Sequence, residues 1–406
     1  MPNLHLSQLQ IGWLEQAFVL GYALFQMPGG IFGQRFGARR TLVVIGLVAF
    51  FAMIATPIAP SIFSGQLLFV ALLGAQLLLG VAQAAIFPVS AGVFGAWFPQ
   101  NRWAFVQGLQ TMGMQLGAAL TPALIAYLMT SAGWQRAMIW TTLPALGLIG
   151  WWAWYARNTP SEHPAVGAAE LNEIGIRSSA AASASITGAR IWCVLKDRNA
   201  LLLFVSYACM NYVFYLLSNW VFLYLVQERH FSVLESGWLA TTPPLAAAVG
   251  AGIGGVVAGP LCARYGFRWG YRLIPLIAMP AAGFLLLVAL YMTNAYLAVA
   301  ALATCYASVE LTEGCYWGCA MTVGGDDTMA VTGFMNTGGN LGGIIGIPIV
   351  AYLSGLHLWN TAFFIGAGFA VMSAVCWLGI DAERHVGGTV EAGAGSRETL
   401  DPVNPF

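Results

Sequence analysis

Between two apolar runs the chain reads Gly29-Gly-Ile-Phe-Gly-Gln-Arg-Phe-Gly-Ala-Arg-Arg40. Three cations in six residues, flanked on both sides by membrane-grade apolar sequence, mark a short loop on the side of a membrane that collects Lys and Arg. Working outward, the same charge returns in every second gap. Arg102 comes next, then the group Arg157, Arg177, Arg190, Lys196 and Arg198, then Arg264, Arg268 and Arg272, and last Arg384 and Arg397. The intervening gaps keep only Arg136 and Arg229. Because this bias sets orientation, the pattern predicts a first residue outside the cytoplasm, a cytoplasmic C-terminus and an odd number of spans.

Composition agrees. Charged residues are 8% of the 406 and apolar residues 59%, against roughly 25% charged in a soluble domain. So much apolar surface needs lipid to cover it. A β-barrel would show segments of alternating polarity about ten residues long, and none occur, so the reading is an all-α polytopic membrane protein. The net charge is zero, and no basic cluster with interleaved aromatics points to nucleic acid. The seven cysteines are scattered. Cys315 and Cys319 are one helical turn apart with no His beside them, a pattern of packing residues more than of a metal or redox pair. No cofactor or metal is implied.

A span needs about 20 apolar residues. Such runs lie near 11–32, 41–60, 65–92, 103–129 and 134–155, and again near 199–226, 236–259, 271–292, 295–322, 328–354 and 358–380. The plan is about eleven helices in two groups. An N-terminal bundle over 1–155 is followed by a polar linker over 156–198, with a short surface helix near 168–176. A six-helix C-terminal bundle over 199–380 and a polar tail over 381–406 complete it. Gly-rich stretches at 29–33, 250–259 and 338–343 let helix backbones approach closely. Phe87-Pro88 and Pro243-Pro244 are expected to kink their helices.

An ionised side chain at the bilayer centre costs about 2.5–3.5 kcal/mol even on insertion scales, so it persists where it faces a cavity. Glu310 and Glu313 stand mid-span, three residues apart on one helix face, with Trp317 on the same side. Two carboxyls that close compete for protons, and such a pair can carry a coupling proton or can simply hydrogen-bond between helices. No Lys or Arg lies deep in a span to hold an anion through paired hydrogen bonds. Gln76, Gln83, Gln115, Asn211, Asn336 and Asn340, with Tyr22, Tyr212 and Tyr215, are polar mid-span groups that either line a cavity or staple helices.

The stretch at 29–40 resembles the basic loop signature of the major facilitator superfamily through Gly33, Arg35, Gly37, Arg39 and Arg40, with Gln34 where the family has Asp. Further similarity lies at Gly80-Val-Ala-Gln-Ala-Ala-Ile-Phe-Pro88, Trp97-Phe-Pro-Gln-Asn-Arg102, Gly133-Trp-Gln-Arg136, Asn211-Tyr-Val-Phe-Tyr215 and Gly333-Phe-Met-Asn-Thr-Gly-Gly-Asn-Leu-Gly-Gly343. Together these resemble the anion:cation symporter branch, which includes sugar-acid permeases. The resemblance implies a two-bundle fold and proton-coupled transport of a small organic anion across an inner or plasma membrane. It places Tyr22, Gln76, Gln83, Gln115, Trp317 and Asn336 near substrate. Gln76 and Gln83 fall where the branch carries an Arg and a Glu. The family's first helix has no counterpart, so a longer natural protein or a true eleven-span chain is expected.

The expected function is a secondary transporter, monomeric, with substrate-binding groups Tyr22, Gln76, Gln83, Gln115, Asn211, Tyr212, Trp317, Asn336 and Asn340, and with Glu310 and Glu313 taking the proton. Two alternatives stay open. One is a facilitator of a neutral or cationic solute, raised by the two uncompensated acids. The other is a non-transporting sensor or remnant, raised by the missing helix.

Overall fold

A computed structural model describes residues 6–174 and 187–387. Arg177, the Ala/Ser-rich stretch 178–185, Arg397 and most of the tail lie outside the described residues. Every regular element among the described residues is helical. The first stretch carries α1 (Gln8–Leu24), α2 (Gln26–Phe36), α3 (Ala38–Ile62), α4 (Gly65–Ala84), α5 (Ile86–Trp97), α6 (Trp103–Ala132), α7 (Trp134–Tyr155) and the short α8 (Ala168–Ile174). The second carries α9 (Gly188–Lys196), α10 (Arg198–Gln227), α11 (Val233–Leu239), α12 (Thr242–Tyr291), α13 (Ala295–Glu310), α14 (Glu313–Gly324), α15 (Thr328–Gly355) and α16 (Trp359–Gly379).

Seven helical stretches among these residues are long and apolar enough to cross a membrane. Two of them, Glu235–Tyr291 and Ala295–Gly355, run 57 and 61 residues, well over twice the length a span needs. Each reverses at a glycine of positive φ, Gly266 (φ 76°) in the first and Gly325 (φ 52°) in the second. The helix ends reach a few residues past the apolar runs. The run near 41–60 becomes Ala38–Ile62, because hydrogen-bonding continues into the polar boundary where hydropathy no longer marks it.

Several spans are interrupted, and proline explains most of the interruptions. A proline ring collides with the carbonyl four residues earlier. Pro28 therefore acts on Leu24, Pro88 on Ala84 and Pro244 on Ala240. The helices part at Phe25, at Ala85 and at Ala240–Thr241. The interruption at Leu311–Thr312 has no proline within the following turn. There the Thr312 N–H bonds to the Val309 carbonyl and the Cys315 N–H to the Thr312 carbonyl, at 3.1 and 3.0 Å, in place of the regular ladder.

Glycine sets how closely the rods pack. A Cβ on Gly250 would stand 2.2 Å from the Ala307 carbonyl oxygen, on Gly254 2.0 Å from that of Leu311, and on Gly342 2.2 Å from that of Ala208. α12 is thus pressed onto the α13–α14 junction, and α15 onto α10, at distances no other residue allows. The charged gaps gather accordingly. Arg39 donates to the Ala153 carbonyl, Arg102 pairs with Glu173, and Arg268 pairs with Asp381 at one end of the molecule. At the other end Arg229 donates to Tyr224 and to the carbonyls of Ala289 and Met292, at the close of α12.

Candidate functional site

A cavity of about 150 Å³ lies where three of the interruptions meet. Tyr22 precedes the break at Phe25, Phe87 follows the break at Ala85, and Glu310 and Glu313 flank Leu311–Thr312; all four side chains line the cavity. The fourth wall comes from α10 and α15. On α10 the helical repeat puts Tyr207, Asn211 and Phe214–Tyr215 on one face. On α15 Asn336 and Asn340 are one turn apart. Gly339 and Gly343 lie between the two helices, where a Cβ would stand 2.7 Å from Asn211 Nδ2 and 2.3 Å from the Tyr215 ring. These glycines bring the two asparagines of α15 against the tyrosines of α10.

Hydrogen bonds tie the walls together. Asn336 Nδ2 donates to Gln26 Oε1 at 2.8 Å, Asn340 Nδ2 to the Asn336 carbonyl at 2.8 Å, and the Tyr215 hydroxyl to Asn340 Oδ1 at 3.3 Å. Asn211 Nδ2 turns back to the Tyr207 carbonyl at 2.9 Å. Trp317 lies against Phe87, ring centres 5.5 Å apart, and Tyr207 meets its edge at 6.3 Å.

The two glutamates share the cavity but not their surroundings. Glu313 accepts from Tyr207 Oη at 3.0 and 3.2 Å and from Trp317 Nε1 at 2.7 Å. Glu310 is fully buried, and neither carboxyl oxygen makes a hydrogen bond. Gln115 borders it and directs its own Nε2 to Tyr306 Oη at 3.4 Å. The single helix face read for the two acids is in fact divided: α13 ends on Glu310 and α14 begins on Glu313. Among the described residues no Lys, Arg or His lines the cavity.

Tyr22, Asn211, Trp317, Asn336, Asn340, Glu310 and Glu313 are thus brought together, with Gln115 behind Glu310. Gln76 and Gln83 are half-buried on α4 outside the lining, since the chain bends at Ala85 and presents Phe87 of α5 instead. Tyr212 is buried one residue round the helix from Asn211, against Phe369 at 4.8 Å between ring centres. Sequence reasoning missed Tyr207, although its place one turn before Asn211 was a readable signal. It also missed Phe87, Thr111, Met114, Phe214 and Gln26.

The basic loop forms a second constellation. Gly37 (φ 84°, ψ 144°) is the whole link between α2 and α3, and a Cβ there would stand 2.8 Å from Asn158 Oδ1. That same Oδ1 accepts from the Arg39 backbone N–H at 3.0 Å. A Cβ on Gly33 would stand 2.4 Å from the Val89 side chain, while Arg35 and Arg40 are exposed. Gln34 is buried and donates to the Asp326 carbonyl and to Asp327 Oδ1, both at 2.9 Å. Arg190 of α9 holds the other oxygen of Asp327 at 3.0 Å. Asp327 immediately precedes α15, where helix N–H groups favour a carboxylate. The acid expected on the loop is supplied from across the interface, and an amide answers it.

Broken spans around a cavity lined by polar side chains are the construction of a secondary transporter. The chain belongs to the Major Facilitator Superfamily, whose family model matches residues 1–330. It is similar to the probable sulfoacetate transporter SauU of Cupriavidus necator, 28% identical over 86% of this chain and 79% of that one. It is 25% identical to the probable galactarate/D-glucarate transporter GarP of Escherichia coli, over 93% of this chain and 87% of that one. It is also 25% identical to a hexuronate transporter of Bacillus subtilis, over 92% and 86%. Among solved structures, the proton:xylose symporter XylE shares the fold with a TM-score of 0.73 at 12% identity, over 94% of this chain and 90% of that chain. The chain is therefore a multi-pass membrane transporter of a small molecule and not an enzyme.

Proposed function

We propose that this protein is a secondary active transporter that moves a small organic anion, of the sugar-acid or sulfonate class, together with protons. It works as a monomer in the inner (plasma) membrane, with the basic loops and the C-terminus cytoplasmic. The two groups of helices rock about the cavity to expose it to either side in turn. The observation that carries this reading is a cavity with two carboxyls and no cation among its lining residues. An anion entering beside two ionised carboxylates is repelled at low dielectric, and a proton on one of them lowers that repulsion, which favours binding anion and proton together. The relatives named for sulfoacetate, galactarate, D-glucarate and hexuronates support the substrate class.

The test is uptake of labelled sulfoacetate, D-glucarate or a hexuronate into proteoliposomes carrying the full chain. Uptake driven by an acid exterior, and collapsed by a protonophore, is expected. A second reading is favoured by the same acids taken with the Trp317, Phe87 and Tyr207 rings, which together suit a cationic or neutral solute. The sign of the pH effect separates the two. Anion symport accelerates as the outside is acidified, whereas a cation competing with protons for the carboxylates slows.

A further inference from the structure

The break at Leu311–Thr312 gives the two cavity glutamates opposite electrostatic positions. Glu310 is the last residue of α13 and Glu313 the first of α14. The C-terminal end of a helix carries partial negative charge and disfavours a carboxylate, while the N-terminal end carries partial positive charge and favours one. Hydrogen bonding points the same way. Glu313 accepts from Tyr207 and Trp317, donors that stabilise the charged form. Glu310 is fully buried with neither oxygen hydrogen-bonded, and an ionised carboxylate so placed loses its hydration without replacement.

The other groups around Glu310 do not offset this. α10 presents the neutral phenols Tyr207 and Tyr215, α13 presents Tyr306, α1 presents Tyr22 and α6 presents the Gln115 amide. α12 lays Gly250 and Gly254 against the end of α13. Among the described residues, the one charge facing Glu310 is that of Glu313, of like sign.

We propose that Glu310 holds the mobile coupling proton, and that Glu313 stays charged throughout, positioned by Tyr207 and Trp317. This rests on the cavity being the coupled transport site. The proton is taken from water on one side as an O–H bond on Glu310 and returned to water on the other. While it is there, the carboxyl makes no hydrogen bond to the protein in this geometry, and its O–H can donate to an oxyanion in the cavity. One group then both carries the proton and recognises the anion, its proton held by burial and by the absence of donors to the charged form.

Infrared spectroscopy of the full chain in nanodiscs at neutral pH, with no substrate added, tests the assignment. A protonated-carboxyl C=O band is expected in the unmodified protein, lost in Glu310→Gln and kept in Glu313→Gln. Tyr207→Phe, which leaves Glu310 in place and removes a donor to Glu313, is expected to add a second such band from Glu313. Absence of the band from the unmodified protein, its survival in Glu310→Gln, or its loss in Glu313→Gln overturns the proposal. Because no substrate is present, failure of the anion-uptake experiment is read separately and bears on the transport reading alone.

Discussion

Of the most apolar part of Gln100–Ala132, 6% is buried within the protein, and of that in Arg198–Gln227, 61%. Their mean hydropathies, 1.4 and 1.8, barely differ. Ala38–Ile62 is more apolar than either, at 2.5, yet 22% buried. In water such a mismatch would be untenable. In a bilayer lipid tails and leucines are equivalent company, so apolarity fixes that a helix inserts and says nothing of which helix it touches. Small residues decide that instead. Gly250, Gly254, Gly338 and Gly342 meet neighbouring backbone, whereas Gly113 and Gly117 of α6 and Gly147 and Gly150 of α7 meet nothing within 4 Å. The candidate site sits with the tightly packed helices. Nine of its thirteen lining residues come from α10, α13, α14 and α15, because polar groups in a low-dielectric interior need partners held in place.

The contrast can be broken by measurement. Gly254→Ala forces a methyl against the Leu311 carbonyl and must shift the helix break, so a loss of about 3 kcal/mol in detergent stability is expected, with coupled transport lost as well. Trp317→Phe removes one of the donors to the buried Glu313, for about 2 kcal/mol. It should also displace the pH profile of uptake, which a merely structural defect would scale without moving. Gln34→Asp sets a second carboxylate against Asp327 and is expected to cost roughly 1 kcal/mol, restored when Asp327→Asn is added. Gly117→Ala, on the open face of α6, is expected to be neutral or to stabilise by about 0.5 kcal/mol through helix propensity. Thermal melts of the four purified variants check the order. A Gly117→Ala loss equal to that of Gly254→Ala would show that α6 is as closely packed as α12.

The spans were readable because length, apolarity and Lys/Arg placement are each dictated by the bilayer. The breaks at Phe25, Ala85 and Ala240–Thr241 each lie about three residues before a proline and were open to the same reasoning. The break at Leu311–Thr312 was not, since neither residue disfavours helix strongly. Its partner is Gly254, some sixty positions earlier in the chain, and that closeness exists only after folding. For the site, Glu310, Glu313, Trp317, Asn211, Asn336 and Asn340 stood out as polar or amphipathic groups in apolar runs. Gln76 and Gln83 stood out equally and do not line the cavity: they share a face of α4 with Gly80, which packs on α1, where a Cβ would stand 2.1 Å from the Phe18 carbonyl, while the chain bends at Ala85 to present Phe87. Phe87 and Phe214 carry no polar mark and were invisible among other apolar residues.

Gly37, Gly133 and Gly266 have almost the same backbone angles, φ 84, 81 and 76° with ψ 144, 159 and 165°, in a region open essentially to glycine alone. Each is the entire connection between two long rods. A loop of several residues works as a slack cord, letting one helix tilt while its neighbour stays still. A single-residue corner is a bracket: α2, α6 and the first half of α12 are each tied to the next rod through one residue, with no loop between them to take up slack. Three such brackets turn six rods into three levers, so the molecule is built from fewer independent parts than the number of helices implies.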